Sequence, residues 1–199
     1  MKLLYSRASP FARKVRACAV ALGIERQIEL VEVVAADAPA VLTDANPLGK
    51  IPTLITNGNF AIFDSAVICE YLNGTSDVIP IIPPGGAPRW LSLRLEAMGD
   101  GLMEAAVLRR QLMLVGGLDA QSVLPELQRL AIARTLDRLE REKLGLHVEI
   151  GALSIACALG YLDFRFADEN WREGHPRLAE WFAAISKHEC LSSTAPDAG

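Results

Sequence analysis

The sequence predicts a small α/β domain followed by an all-α domain, and three observations carry that prediction. Strand and helix signals alternate through roughly the first third of the chain. The stretch "NGTSDVIPIIPPGGAP" then breaks the pattern, because Pro83-Pro84-Gly85-Gly86 suits neither a helix interior nor a sheet. Beyond Pro88 the periodic segments all repeat at helical spacing, and no convincing strand follows. The expected boundaries are residues 1–76 for the α/β domain, 77–87 for the linker and 88–199 for the helical domain.

Leu3-Leu4-Tyr5 reads as a short buried strand. From Ser9 to Leu22 the pattern turns helical: Val15, Cys18, Ala19 and Leu22 share one face, with Arg13, Lys14 and Arg16 on the other. Gly23 suits the position just past the helix end. "QIELVEVV" alternates and reads as a second strand, which makes a βαβ unit with a parallel strand pair. "ADAPAVLTDANPLG" is mixed, one or two irregular helical turns and a loop. Thr53–Thr56 and Phe60–Phe63 flank Asn57-Gly58-Asn59, and Asn-Gly between apolar alternating runs is a strong hairpin signal. Asp64-Ser65 opens a helix over Ala66–Leu72. After the linker, "RWLSLRLEAMGDGLMEAAVLRRQLML", "LPELQRLAIARTLDRLEREKL", "GALSIACALGYLDFRF" and "HPRLAEWFAAISKH" give four helices.

Composition narrows the classes of function. Of 199 residues, 51% are hydrophobic and 22% charged, which is ordinary for a globular protein with ample core. A formal net charge of -4 argues against nucleic acid as the main partner, since no basic surplus meets the phosphates. No apolar run approaches the roughly 18–20 residues of a membrane-spanning helix. The apolar run after Met1-Lys2 is too short for a secretory leader. The four cysteines, Cys18, Cys69, Cys157 and Cys190, stand at no metal-ligand spacing, either among themselves or with His147, His175 and His188. No metal is expected. The reading is a cytoplasmic protein with buried, reduced thiols.

Three short stretches could carry chemistry. Pro10 suits the first helical position, which makes Ser9 the N-cap. The free N–H groups of that helix start form an anion site, and Arg13, Lys14 and Arg16 would favour a bound anion there. Ile51-Pro52 precedes a strand. A cis bond at that proline would turn the Ile51 main chain outward, free to pair with a peptide-like ligand. Asp64-Ser65 lies at a second helix N-terminus. Ser65 could serve a carboxylate and Asp64 an ammonium, together a zwitterionic amino-acid end. Each of the three, by itself, is also an ordinary helix cap or strand-start proline. It is their joint occurrence, in this order along the chain, that points to a single site.

With these residues in place the sequence resembles the bacterial glutathione S-transferases, in which a thioredoxin-like α/β domain is followed by an all-helical one. "SPFARKVR", "NPLGKIPTL", "FDSAVICEYL", "DGLMEAAVLRR" and "CALGYLDFR" carry the resemblance, from about Ser9 to Arg165. It implies glutathione as co-substrate, with Ser9 bonded to its sulfur and favouring the thiolate. Phe11 would also contact glutathione. Ile51, ahead of a cis Pro52, would pair with the cysteinyl part, Asp64 and Ser65 would hold the γ-glutamyl end, and Lys50 would reach a carboxylate. A small hydrophobic electrophile would be bound between the domains, against a helix wall around Met98, Gly99, Leu102, Met103, Val107 and Arg110; of these, Met103, Val107 and Arg110 are the pocket residues named for it. A homodimer is implied, built on the Ser65–Leu72 helix and the first long helix of the second domain.

Two departures from the family pattern stand out. Many relatives start the core helix of the second domain with a Ser/Thr-x-x-Asp capping box, and here that position reads Glu149-Ile150-Gly151-Ala152. Where disulfide-exchanging thioredoxin-like proteins carry C-x-x-C, this chain has Ser9 and Ala12, which excludes dithiol redox at this site. The leading expectation is glutathione conjugation to small electrophiles, with a role in detoxification. The alternatives are glutathione-dependent peroxide or disulfide reduction, dehalogenation, or a non-catalytic interaction protein of the same fold.

Overall fold

A computed structural model describes residues 1–114 and 122–196. Its first part is a four-stranded sheet in the order β2-β1-β3-β4, formed by β1 (Lys2–Tyr5), β2 (Glu29–Glu32), β3 (Thr53–Ile55) and β4 (Ala61–Phe63). β1 and β2 are parallel, while β3 is antiparallel to both β1 and β4. Helix α1 (Pro10–Ala21) makes the crossover between the parallel pair, and α3 (Ser65–Thr75) follows the hairpin. The mixed stretch after β2 forms a 3₁₀ turn at Ala35–Asp37 and one short helix, α2 (Ala40–Thr43). Asn59, in the hairpin turn, takes φ 59°, a left-handed value that asparagine tolerates.

The second part is helical: α4 (Gly86–Leu114), α5 (Val123–Arg141), α6 (Ile150–Arg165), α7 (Pro176–Ile185) and a short α8 (Glu189–Ser192). A thioredoxin-like α/β domain followed by an all-α domain is therefore the fold, as the sequence predicts. Helix α4 begins at Gly86, inside the stretch read as linker, and α8 is an element the sequence reading lacks.

Helix α6 is the axis of the second domain. Ile150 through Leu162 are all buried, which is why the segment is apolar around its whole circumference. The missing capping box shows at its start, where N-cap Glu149 makes no side-chain cap bond. Instead, the Ile150 N–H donates to the Ile81 carbonyl of the connecting segment at 2.9 Å, so a donor orphaned by the helix start is met from outside. Glycines let α4 and α6 approach closely. A Cβ at Gly99 would overlap Ser154 Oγ and lie 2.6 Å from the Ile155 nitrogen, and one at Gly151 would lie 2.6 Å from Leu95 Cβ.

The sequence reading placed Arg13 and Lys14 on the polar face of α1, and the structure corrects this. Lys14 has no exposed surface and Arg13 only 7%. Helix α1 is covered by α4, α6 and α8 on the side away from the sheet, so its charged face is an interior face. Lys14 Nζ meets Glu96 Oε1 at 3.1 Å and Asp100 Oδ2 at 2.7 Å on α4, and Ser154 Oγ of α6 donates to Asp100 Oδ1 at 2.6 Å. One buried lysine thus ties the sheet domain to two helices of the second domain. Burial opposes its charge, but Cys69, Asp100 and Glu96 around it outweigh burial, and its affinity for the proton is raised. The Cys69 thiol is itself pushed up by burial and is neutral at pH 7, so the two carboxylates supply the attraction. All four cysteines are free and buried.

Candidate functional site

The strand register brings the three candidate stretches to one end of the sheet. Leu4, near the end of β1, pairs with Thr53 at the start of β3, and Thr53 pairs with Phe63 at the end of β4. Ser9 follows β1, Pro52 precedes β3 and Asp64 follows β4. With neighbouring strands about 4.8 Å apart, β1 and β4 stand only about 10 Å apart at that end.

Ser9 is the N-cap of α1, with φ -80° and ψ 120°, and its Oγ accepts from the Ala12 N–H at 3.2 Å. Pro10 occupies the first helical position, so one N–H that would lack a partner is simply absent. A hydroxyl has one donor and two acceptor sites, so the Ser9 O–H remains available while its oxygen caps the helix. Phe11, half-buried, packs against the main core.

The Ile51-Pro52 peptide is cis. Pro52 is buried, Ile51 half-buried and the Lys50 side chain exposed. The preceding loop is held by Asn46, whose Nδ2 donates to the Lys50 carbonyl at 2.9 Å and to Thr53 Oγ1 at 3.1 Å. Thr53 Oγ1 donates to the same carbonyl at 2.9 Å. Among the described residues, the Ile51 main chain finds no hydrogen-bonding partner.

Asp64 is the N-cap of α3 and sits at φ 71°, a left-handed value for a residue other than glycine. Such backbone costs about 1–3 kcal/mol and gathers at functional sites. Its Oδ1 accepts from the Ala66 N–H at 2.9 Å, which leaves Oδ2 uncommitted on an exposed side chain. Ser65, at the first helical position, is buried.

Two residues of α6 that the sequence reading assigned no role reach this region. Cys157 and Tyr161, one helical turn apart, line a small cavity of about 10 Å³ with Arg7, Ala8, Ser9, Pro10, Arg13 and Pro196. That is room for about one water. Arg13 reaches it from within: Nη2 donates to the Leu191 carbonyl at 3.1 Å, while Nε and Nη1 are buried without partners. A Cβ at Gly160 would overlap this guanidinium, so the glycine makes room for it. Of the three cations expected near the α1 start, Lys14 is neutralised by α4 and Arg16 sits over the Tyr5 ring at 5.5 Å. Arg13 is the one that borders the cavity beside Ser9. Burial pushes the Cys157 thiol up to about 11, so it is not a nucleophile near neutral pH. The signal for these residues was the i, i+4 spacing of Cys157 and Tyr161 within "CALGYLDFR".

The expected electrophile wall needs correction. Met103 has no exposed surface and Leu102 almost none, so both belong to the core. Gly99 faces α6, and Met98 lines a separate groove between α4 and α5 with Gly101 and Arg134. Val107 and Arg110 keep partial exposure. Among the described residues, no cluster of His, Cys, Asp or Glu could hold a metal ion, and no helix is long and apolar enough to cross a membrane.

Comparison with known proteins shows the family. Residues 8–75 match the model of the glutathione S-transferase N-terminal domain, and residues 104–184 that of the C-terminal domain. The chain is 32% identical to the uncharacterized GST-like protein YibF of Escherichia coli strain K12, over 98% of each chain. It is similar to a glutathione transferase family member from Pseudomonas fluorescens Pf-5 solved with bound glutathione, with a TM-score of 0.91, 38% identity and 98% of each chain covered. A family member from the same organism was solved with bound S-(propanoic acid)-glutathione; there the TM-score is 0.87 at 36% identity, covering 99% of this chain and all of the other.

Proposed function

We propose a glutathione transferase activity for this chain, which belongs to the glutathione S-transferase family. The observation that carries the proposal is the register: one end of the sheet gathers a capping serine, an Ile51 main chain left without a partner among the described residues beside a cis proline, and an acidic N-cap at positive φ. Residues 1–76 bind glutathione, and residues 88–199, across the link at 77–87, supply the electrophile side and dimer contacts. Ile51 pairs with the cysteinyl main chain, as an added strand pairs with a sheet edge. Asp64 holds the γ-glutamyl ammonium, Ser65 its carboxylate, and Lys50 a second carboxylate. Phe11 contacts glutathione. Ser9 donates to its sulfur, at a helix start whose dipole favours negative charge. Val107 and Arg110 border the electrophile.

Calorimetric titration with glutathione tests the binding half. Asp64→Asn keeps a capping oxygen and tolerates left-handed backbone, but removes the charge. A hydrogen bond to a charged group is worth about 1.5–3 kcal/mol, so affinity should fall roughly 10- to 100-fold. Equal affinity in the variant would remove Asp64 from the γ-glutamyl site, and no binding by the unaltered chain would refute the proposed function.

The homodimer implied by the family is part of the same proposal. Val67 of α3 and Trp90 and Leu91 of α4 are large, apolar and at least half exposed, and Arg89 fixes these helices together through Glu70 at 2.9 Å. Sedimentation at micromolar concentration should give twice the chain mass, and Trp90→Glu should shift it toward the monomer. A monomer in the unaltered chain would contradict the pairing.

A further inference from the structure

We propose that the acceptor carries a carboxylate close to its reacting carbon, and that Arg110 and Arg165 hold that carboxylate beside the Ser9 site. This rests on the glutathione reading above and names the substrate class. Arg165 stands one turn beyond Tyr161 on α6, on the same face, and Tyr161 lines the cavity with Ser9. Arg110 follows Arg109 on α4, and Arg109 lies over the ring of Phe166, just past α6, at 4.9 Å, so this turn of α4 meets the end of α6; burial pushes Tyr161 up, against the pull of both Arg110 and Arg165. The two guanidiniums also feel each other, since burial and then the Arg110 charge hold Arg165 below its ordinary value.

Neither arginine has a carboxylate partner among the described residues. Two acidic groups at this end of the helices are engaged elsewhere. Glu169 is held by Arg109 at 2.7 Å, and Asp163 by Arg172 at 2.6 Å. Arg165 stacks on the Phe164 ring at 3.7 Å, which fixes its plane, and its Nε is buried without a partner. Arg13, which lines the cavity beside Ser9, adds a third cation, also with buried N–H groups unmet. Two like charges at this end of the helices, with no counter-ion among the described residues, repel, in a chain whose acidic residues outnumber its basic ones by 24 to 20. An anionic ligand removes that repulsion, and planar guanidiniums suit a carboxylate. A purely hydrophobic acceptor would leave the repulsion in place.

For an α-halocarboxylate the step balances without redox chemistry. The glutathione thiolate gives its electron pair to the α-carbon and a C–S bond forms. The C–halogen bond breaks, and the halide departs with that pair. The carboxylate keeps its charge throughout, held by the arginines.

The matched probes are S-(carboxymethyl)glutathione and its neutral analogue S-(carbamoylmethyl)glutathione, the products from iodoacetate and iodoacetamide. By calorimetry on the full chain, the carboxymethyl thioether should bind roughly 10- to 100-fold more tightly. Arg110→Gln and Arg165→Gln should each collapse that ratio toward one, while Arg165→Lys should retain most of it. Turnover of iodoacetate relative to iodoacetamide should follow the same ratio. Equal affinity for the two thioethers in the unaltered chain, with glutathione still bound, would overturn the assignment. A ratio unchanged in both glutamine variants would overturn it as well. Failure to bind glutathione and both thioethers alike would instead refute the proposed function.

Discussion

Ser9→Ala should lower glutathione-dependent turnover of a chlorinated nitroaromatic by roughly 10- to 1000-fold, with glutathione binding largely kept. A thiol with an ordinary pKa of about 8.5 is only about 3% ionised at pH 7, so full ionisation is worth at most about 30-fold. Any loss beyond that measures how far the hydroxyl orients the sulfur for attack. The cap complicates the alanine variant, because Ser9 Oγ also accepts from the Ala12 N–H. Losing that bond costs about 1 kcal/mol of stability, whereas a glycine cap costs a few tenths. Ser9→Gly therefore separates the roles: it should be nearly as stable as the unaltered chain and as slow as Ser9→Ala. Unchanged turnover in both variants would place thiolate activation elsewhere.

Lys14→Met should destabilise the fold by about 3–5 kcal/mol, read from urea unfolding. The lysine is fully buried and its charge is matched by Glu96 and Asp100 on α4, a helix of the other domain. Removing it leaves two carboxylates inside the protein without their cation. Burial already pushes Glu96 up, with Lys14 pulling against it, so without the lysine it rises further. A carboxylate with a raised folded-state pKa binds more protons folded than unfolded, so stability falls as pH rises above its ordinary value of 4.5. The deficit of Lys14→Met should accordingly be larger at pH 8 than at pH 5. In the unaltered chain the sign is set by Lys14 itself. Its raised proton affinity contributes stability that is complete below 10.5 and is lost as pH climbs past that value. A Lys14→Met protein as stable as its parent at pH 8 would show that the network is not a tie between the domains.

These two residues also mark what the sequence could and could not show. Ser9 was legible because its role is local: a capping residue, a proline at the next position and an apolar helical stripe all lie within a few residues. The same holds for Asn57-Gly58 in the hairpin and for the Pro-Gly stretch before α4. Lys14 was misread because its partners lie 82 and 86 residues away. Helical periodicity separates an apolar from a charged face, but it does not say whether a second domain will cover the charged one. Met103 failed for the converse reason, since an apolar residue on a helix can face a pocket or the core and spacing alone does not choose. Cys157 and Tyr161 were out of reach because their place beside Ser9 depends on how α6 packs against α1. The close approach at Gly99, Gly151 and Gly160 depends on the same packing.

The central claim is that the α1 N-terminus and the Ser9 hydroxyl hold glutathione as a thiolate. The most direct measurement is the ultraviolet absorbance of the thiolate, titrated with pH for glutathione bound to the unaltered chain and to Ser9→Ala. The bound thiol should titrate well below the free value of about 8.5, and most of that depression should vanish in the variant. A bound thiol that titrates at its free value in the unaltered chain would contradict the account.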